Sequence, residues 1–235
     1  MSTALRSSLL TDAGFAHGFF TRKVAPDWEQ ACTDLGVPRE KLFLLSQVHG
    51  VRAAILDGDE DHLALRNVDG DITVSAAPGV ACGTRVADCA PVLLANPRTG
   101  AVAAVHSGWR GTVLRAVEVG VRAVSDRGGP SALVAAIGPL IERCCFEVGE
   151  DVALELAASS PLGEAVIDRA RPRPHVDLRR VLDAQLKALG VVAVEHVGGC
   201  TRCDFERFHS FRRDGAASGR LLAAIVARPP GHFPG

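Results

Sequence analysis

Residues 91–105 read PVLLANPRTGAVAAV: two apolar runs, Pro91–Ala95 and Ala101–Val105, separated by Asn96-Pro97-Arg98-Thr99-Gly100. Asn, Pro and Gly in that cluster each favour a turn, by side-chain capping, a fixed φ and access to positive φ respectively. The spacing therefore predicts a β-hairpin over 91–105. Working outward, Ser107 precedes a helical pattern with Val113, Leu114, Val117, Val121 and Val124 on one face, ending at Gly128-Gly129. Ala132–Ile137 reads as a buried strand. Asp177 is placed to cap a helix carrying Leu178, Val181, Leu182, Leu186 and Leu189, which Gly190 stops. Val191–Val197 and Leu221–Ala227 supply late strands, and the tail RPPGHFPG reads as a loose end.

Upstream, ITV from Ile72 and VACGTRVA from Val80 are further short strands. Phe15–Thr21 reads as a strand, and Pro26-Asp27 opens a helix ending near Gly36. Lys41–Val48 and Val51–Leu56 read as two strands meeting at a turn, His49-Gly50, with Asp57–Asp71 as an Asp- and Gly-rich loop. Strands dominate the first half, and helices and strands mix in the second. That order predicts an α+β fold rather than alternating βαβ units, in one domain spanning 1–235.

The bulk properties narrow the function. Hydrophobic residues make up 47% of the 235, enough for a substantial core. With 26 basic and 27 acidic residues the net charge is −1, which leaves no footprint for nucleic acid or an anionic membrane. No run approaches the roughly 20 apolar residues of a membrane span. The N-terminal stretch lacks the uninterrupted apolar core of a signal peptide. A cytoplasmic protein is expected. Its seven cysteines lack the spacing of a disulfide framework and are free to serve as core residues, ligands or nucleophiles.

Three strings carry candidate chemistry: SQVHG at 46–50, ADCAP at 87–91 and HSGWRG at 106–111. His49, Cys89 and His106 each lie beside a turn or small residues. Two imidazoles and a thiolate suit zinc, and three protein ligands leave one position open, as in catalytic sites. The spacings of 40 and 17 residues match no short zinc signature. The alternative is a buried Cys89 packed as a small hydrophobe, with the histidines as hydrogen-bonded turn residues. Asp88, next to Cys89, is positioned to carry a proton or orient a ligand, or is a turn carboxylate. Ser107 and Arg110, at a helix start, offer an anion site or a plain cap and a solvated arginine. Arg212 and Arg213, with Arg207 and Arg220, form a basic cluster suited to phosphate or ribose, or a solvated face. Cys200-Thr-Arg-Cys203 is a lone C-x-x-C: Cys144 and Cys145 are adjacent and do not form a second pair at zinc spacing, so the C-x-x-C reads as structural, with a redox or metal role as the alternative. His17, His62, His175, His196 and His232 have no ligand context.

The strings SQVHG, ADCAPVLLANPRTGAVAAVHSGWRGT, AAIGPLIERCCFEVGEDV and CTRCDFERFHSFRRDGAASGR occur in this order. Together they resemble the family once labelled laccase-domain or polyphenol oxidase proteins, now associated with purine nucleoside phosphorylase and adenosine deaminase activity. The resemblance runs from about Leu45 to Ala227. It implies a mixed β-sandwich core with flanking helices. It also implies a zinc site at His49, Cys89 and His106, and nucleoside and phosphate as ligands, with Arg22 as a contact. On the physical grounds given above, Asp88 joins the candidate catalytic group and Ser107, Arg110 and Arg212 the candidate substrate contacts. Arg22 stands where the family carries a T-x-R-x-G-G-V-S string, and here FFTRKVAPDWEQ has no Gly-Gly.

Four functions compete. The first is a zinc-dependent phosphorylase acting on adenosine, inosine or methylthioadenosine, with adenosine deamination as a further activity. The second is a cysteine or zinc amidase-type hydrolase that edits peptidoglycan precursors, with Cys89 and His106 as a nucleophile–base pair. A multicopper oxidase is disfavoured, because the chain has no His-x-His pair and only Met1 as a thioether. A module using zinc only structurally would need a closed four-ligand set. The sequence assigns no oligomeric state.

Overall fold

The computed structural model describes residues 3–24, 26–128 and 132–231. The chain begins with β1 (Ala4–Leu5), α1 (Ser8–Asp12), β2 (His17–Phe20) and α2 (Glu29–Leu35). Six strands follow: β3 (Leu42–Phe43), β4 (Ala53–Leu56), β5 (Ile72–Ser75), β6 (Ala81–Val86), β7 (Ala90–Ala95) and β8 (Val102–Ser107). Next come α3 (Trp109–Val113), α4 (Ala116–Gly128), β9 (Val134–Ile137), α5 (Glu150–Ala158), β10 (Ile167–Asp168) and β11 (His175–Val176). The chain closes with α6 (Leu178–Ala188), β12 (Ala193–His196), α7 (Phe211–Asp214) and β13 (Leu221–Val226). The class is α+β, as the order of elements in the sequence requires.

Two mixed sheets form the centre, one ordered β1-β2-β13-β6-β3 and the other β12-β9-β7-β8-β5-β4. Their facing sides bury Phe19, Phe43, Cys82, Leu93, Val102, Ala104, Ala223 and Ile225 in one cluster. The outer face of the six-stranded sheet packs Val92, Leu94, Ala103 and Val105 against helix residues such as Val117, Val121, Leu156 and Leu182. The outer face of the five-stranded sheet packs Leu222 and Ala224 against Trp28, Ala31 and Leu35. Alternate residues of β7 and β8 thus enter two different cores, which is why those strands read as continuous apolar runs. Each fully buried Leu or Val contributes about 1.5–3 kcal/mol of transfer free energy.

The hairpin at 91–105 forms with Pro91 opposite His106 and Ala95 opposite Val102. Asn96 builds the turn: its Oδ1 accepts from the Arg98 and Thr99 amides, and its carbonyl accepts from Gly100. Gly100 has φ +79°, and a Cβ there would lie 1.8 Å from the Arg228 carbonyl oxygen, so only glycine fits.

The structure corrects three expectations. The helix expected from Ser107 to Gly128 is two helices, because Arg115 takes a left-handed φ of 62° between them; Leu114 consequently points to solvent. The turn at Gly129 lies outside the described residues. The two strands expected to meet at His49-Gly50 belong to different sheets, β3 parallel to β6 and β4 parallel to β5. Ser46 bonds the 68–70 segment through its own amide and carbonyl, so the chain crosses from one sheet to the other instead of turning back. The start of the tail is tied down: Arg228 donates to the Ala13 and Pro97 carbonyls and covers the Phe15 ring. Residues 232–235 lie outside the described region. Finally, α5, α7 and the β10–β11 pair had no periodic signal long enough to read. Among the described residues no helix is long and apolar enough to cross a membrane.

Candidate metal centre and cavity

The β7–β8 register puts His106, at the end of β8, beside the start of β7, where Cys89 precedes Ala90. The crossing segment 46–50 carries His49 over the same edge. Ligand atoms of His49, Cys89 and His106 all lie within 4.8 Å of one another. The two imidazoles meet edge-on, with centroids 5.0 Å apart. His49 (φ 62°) and Asp88 (φ 85°) are both left-handed, a conformation that costs a non-glycine residue roughly 1–2 kcal/mol and here aims the flanking side chains. Gly108 closes the group from below: a Cβ there would meet Cys89 Sγ at 2.8 Å and His49 Cδ2 at 3.1 Å.

Asp71 organises this arrangement. Its Oδ1 is 2.7 Å from His106 Nδ1 and accepts from the His49 amide at 3.0 Å, while Oδ2 accepts from the Gly50 amide at 2.7 Å. Burial would raise the Asp71 carboxyl, but His106 and these amides hold it below the ordinary carboxylate range. Burial likewise opposes the His106 imidazolium, yet Asp71 and the Cys89 sulfur raise it to about 9. Burial pushes the Cys89 thiol up, and the two imidazoles more than reverse this, to about 6. The donor set fits zinc. A carboxylate on Nδ1 fixes the tautomer that leaves Nε2 to face a metal, and the thiol is already disposed to lose its proton.

These residues form one end of an open cavity of about 550 Å³. Its walls include Gln47, Arg85, Asp88, Trp109, Ile141, Phe146, Phe211, Arg212 and Arg220. Asp88 does not offer a free carboxylate: Oδ1 accepts from Thr201 Oγ1 at 2.5 Å and Oδ2 from the Arg212 amide at 2.6 Å. It holds the wall beside Cys89. Arg212 is anchored through Nη1 to the carbonyls of Glu147 (3.0 Å) and Cys145 (3.4 Å), and its guanidinium lies 5.9 Å from the Phe146 ring centre. Arg85 is half-buried, with Nη2 on the Leu45 carbonyl.

Three expected substrate contacts lie off the cavity wall. Ser107 is fully buried, with its hydroxyl on Thr112 Oγ1, and the helix cap is Gly108 instead. Arg110 is exposed and stacks on Trp109 at 4.6 Å. Arg22 donates to the Phe205 carbonyl. Among the other histidines, His17 is a buried structural residue that accepts from the Ser7 amide. Arg220, read in the basic cluster, does line the cavity, whereas Asp71, Gln47 and Arg85 went unread in the sequence. Arg85 left one signal, a charge alone within an apolar strand. Asp71 left none that separates it from Asp57, Asp59, Asp61 or Asp69.

A purine nucleoside phosphorylase of Deinococcus radiodurans is 38% identical over 207 residues, covering 87% of this chain and 77% of that protein. Adenosine deaminase RL5, from an unknown prokaryotic organism, is 36% identical over 206 residues, covering 83% and 78%. The crystal structure of YlmD from Geobacillus stearothermophilus superposes with a TM-score of 0.85 at 25% identity, covering 97% of each chain. The family model described as multi-copper polyphenol oxidoreductase laccase matches residues 11–228, which takes in every strand of the two sheets except β1 and every residue of the candidate metal centre. The chain is therefore a member of that laccase-like family.

Proposed function

We propose that the protein is a cytoplasmic, zinc-dependent purine nucleoside phosphorylase acting on adenosine, inosine or methylthioadenosine, with adenosine deamination as a second activity. The observation that carries this reading is one cavity joining a His49–Cys89–His106 ligand set to an arginine- and aromatic-bearing wall. The two relatives named above as a nucleoside phosphorylase and an adenosine deaminase support the substrate class. The cavity volume is within the range of small-molecule sites. Trp109, Phe146 and Phe211 give flat apolar surface for a purine. Arg212 keeps Nε and Nη2 without a protein acceptor among the described residues, and Arg85 and Arg220 add charge, so phosphate oxygens have planar donors to meet. In phosphorolysis a phosphate oxygen bonds to the sugar C1′, the C1′–N9 bond breaks, and the base leaves with a proton. Zinc held by His49, Cys89 and His106 would supply Lewis acidity. Asp71 fixes the His106 ring, and the Asp88 carboxylate fixes the start of the segment bearing Arg212. Seven free thiols fit a reducing compartment.

A second reading has its own observation. Cys89, His106 and Asp71 are connected in the order nucleophile, base and orienting carboxylate. That chain fits a cysteine amidase acting on peptidoglycan precursors. One experiment separates the two: zinc-loaded and chelated protein incubated with adenosine, inosine and methylthioadenosine, with and without phosphate, and with an N-acyl amino-acid substrate. Free base and ribose 1-phosphate formed only with phosphate and zinc support the first reading. Metal-independent amide hydrolysis with an acyl adduct on Cys89 supports the second.

A further inference from the structure

Cys144 and Cys145 lie between β9 and α5, and Cys200 and Cys203 lie after β12. The chain brings these segments side by side through a parallel bridge between Leu140 and Cys200, closed by the Thr201 amide on the Leu140 carbonyl at 2.9 Å. The four sulfurs all lie within 4.8 Å of one another, and all four are free thiols. Adjacency in sequence hid this: Cys144 and Cys145 are a poor chelating pair alone, but the fold sets them opposite the C-x-x-C.

We propose that Cys144, Cys145, Cys200 and Cys203 hold one zinc ion as a closed tetrathiolate site, separate from the His49–Cys89–His106 centre. Zinc–thiolate bonds of about 2.3 Å in a tetrahedron set the sulfurs about 3.8 Å apart. The Cys144–Cys203 and Cys145–Cys203 separations are 3.7 and 3.3 Å, so the sulfurs already stand near the edges of such a tetrahedron. The space takes a single ion. Binding releases the four thiol protons and leaves a net charge of −2 on the ion and its ligands, and the surroundings answer that charge. Arg202 Nη1 points at Cys145 Sγ and the Glu142 amide at Cys200 Sγ, both at 3.5 Å. Arg171 is anchored on the Cys144 carbonyl.

The ion explains how an irregular region is ordered. Residues 197–210 contain neither helix nor regular strand, yet Cys200, Thr201, Phe208 and Ser210 are buried there. A loop of this length within a packed protein needs a fastening. The same fastening braces the catalytic wall: Phe146 follows Cys145 and lines the cavity, and Thr201 follows Cys200 and holds Asp88. The site is thus a structural brace, filled by four protein ligands with no position for substrate.

The test uses the full chain purified under reducing conditions with zinc present and no metal-affinity tag. Elemental analysis should find two zinc ions per wild-type chain. It should find one in the His49→Ala/Cys89→Ala variant, whose cobalt-substituted form should show the intense thiolate-to-cobalt charge transfer of four sulfur ligands. Cys144→Ser/Cys203→Ser, which alters the two exposed members, should lose that ion and melt earlier. An His49→Ala/Cys89→Ala variant that folds, by circular dichroism, and carries no zinc would overturn the proposal. So would peptide mapping of the wild-type protein that finds Cys144, Cys145, Cys200 and Cys203 paired with one another as disulfides.

Discussion

His106 Nδ1 lies 2.7 Å from Asp71 Oδ1, and the same carboxylate group receives the amides of His49 and Gly50. One buried side chain therefore sets the tautomer of one ligand and the backbone of another. Asp71→Asn keeps the shape but removes the charge and one acceptor. Zinc affinity, measured by competition with a chelator, should fall about 10- to 100-fold, with activity falling alongside. Affinity unchanged from wild type would mean that Asp71 does not tune the centre.

Gly108 is the point of closest backbone approach to the ligands. A methyl group there would press on Cys89 Sγ at 2.8 Å, well inside van der Waals contact. Gly108→Ala should lower zinc occupancy while the melting temperature moves by only a few degrees, because the strain falls on the ligands at the cavity edge and not on the core. Elemental analysis and a thermal melt on the same sample check both halves.

Arg212 lines the cavity, and Arg110 lies outside it on the Trp109 ring. Losing a charge-assisted hydrogen bond costs about 1.5–3 kcal/mol. Arg212→Ala should then raise the KM for phosphate about tenfold or more and the KM for nucleoside far less. Arg110→Ala should leave both within about twofold. Initial rates with each substrate varied in turn decide this, and the reverse ranking would move the anion site to the start of α3.

The hairpin was legible because Asn96 and Gly100 act locally, and local chemistry is what a sequence displays. The same hairpin delivers Cys89 and His106, so part of the centre was readable from the strand ends. His49 stood out as a candidate beside a turn, but only the resemblance joined it firmly to the other two, since nothing in 46–50 says that the chain crosses between sheets there. Asp71 and the four-cysteine cluster were not readable at all. Each depends on contacts between segments far apart in the chain, such as the Leu140–Cys200 bridge. The helix after Ser107 was misread at Arg115, because an arginine carries no mark of a left-handed backbone.

Glu195, in β12, supports the first helix from across the molecule. Its carboxylate accepts from Ser7 Oγ at 2.6 Å and from the amides of Leu9 and Ser8 at 2.8 and 3.2 Å, at the N-terminus of α1. Negative charge is favoured there by the helix dipole as well as by the bonds. Burial would raise the Glu195 carboxyl, but Ser7, Leu9 and Ser8 hold it below the usual 4.5. A carboxyl depressed by folding contributes stability above its unfolded pKa and loses it as pH falls through its folded pKa. Glu195→Gln should therefore cost about 1 kcal/mol at neutral pH, below the usual range for a charged hydrogen-bond group because the residue is half-exposed and screened by solvent. The gap between wild type and variant should persist down to about pH 4.5 and close below it. Denaturant unfolding at a series of pH values from neutral to strongly acid measures this. A gap that stays constant through the acid range would show that Glu195 acts by packing and not by its charge.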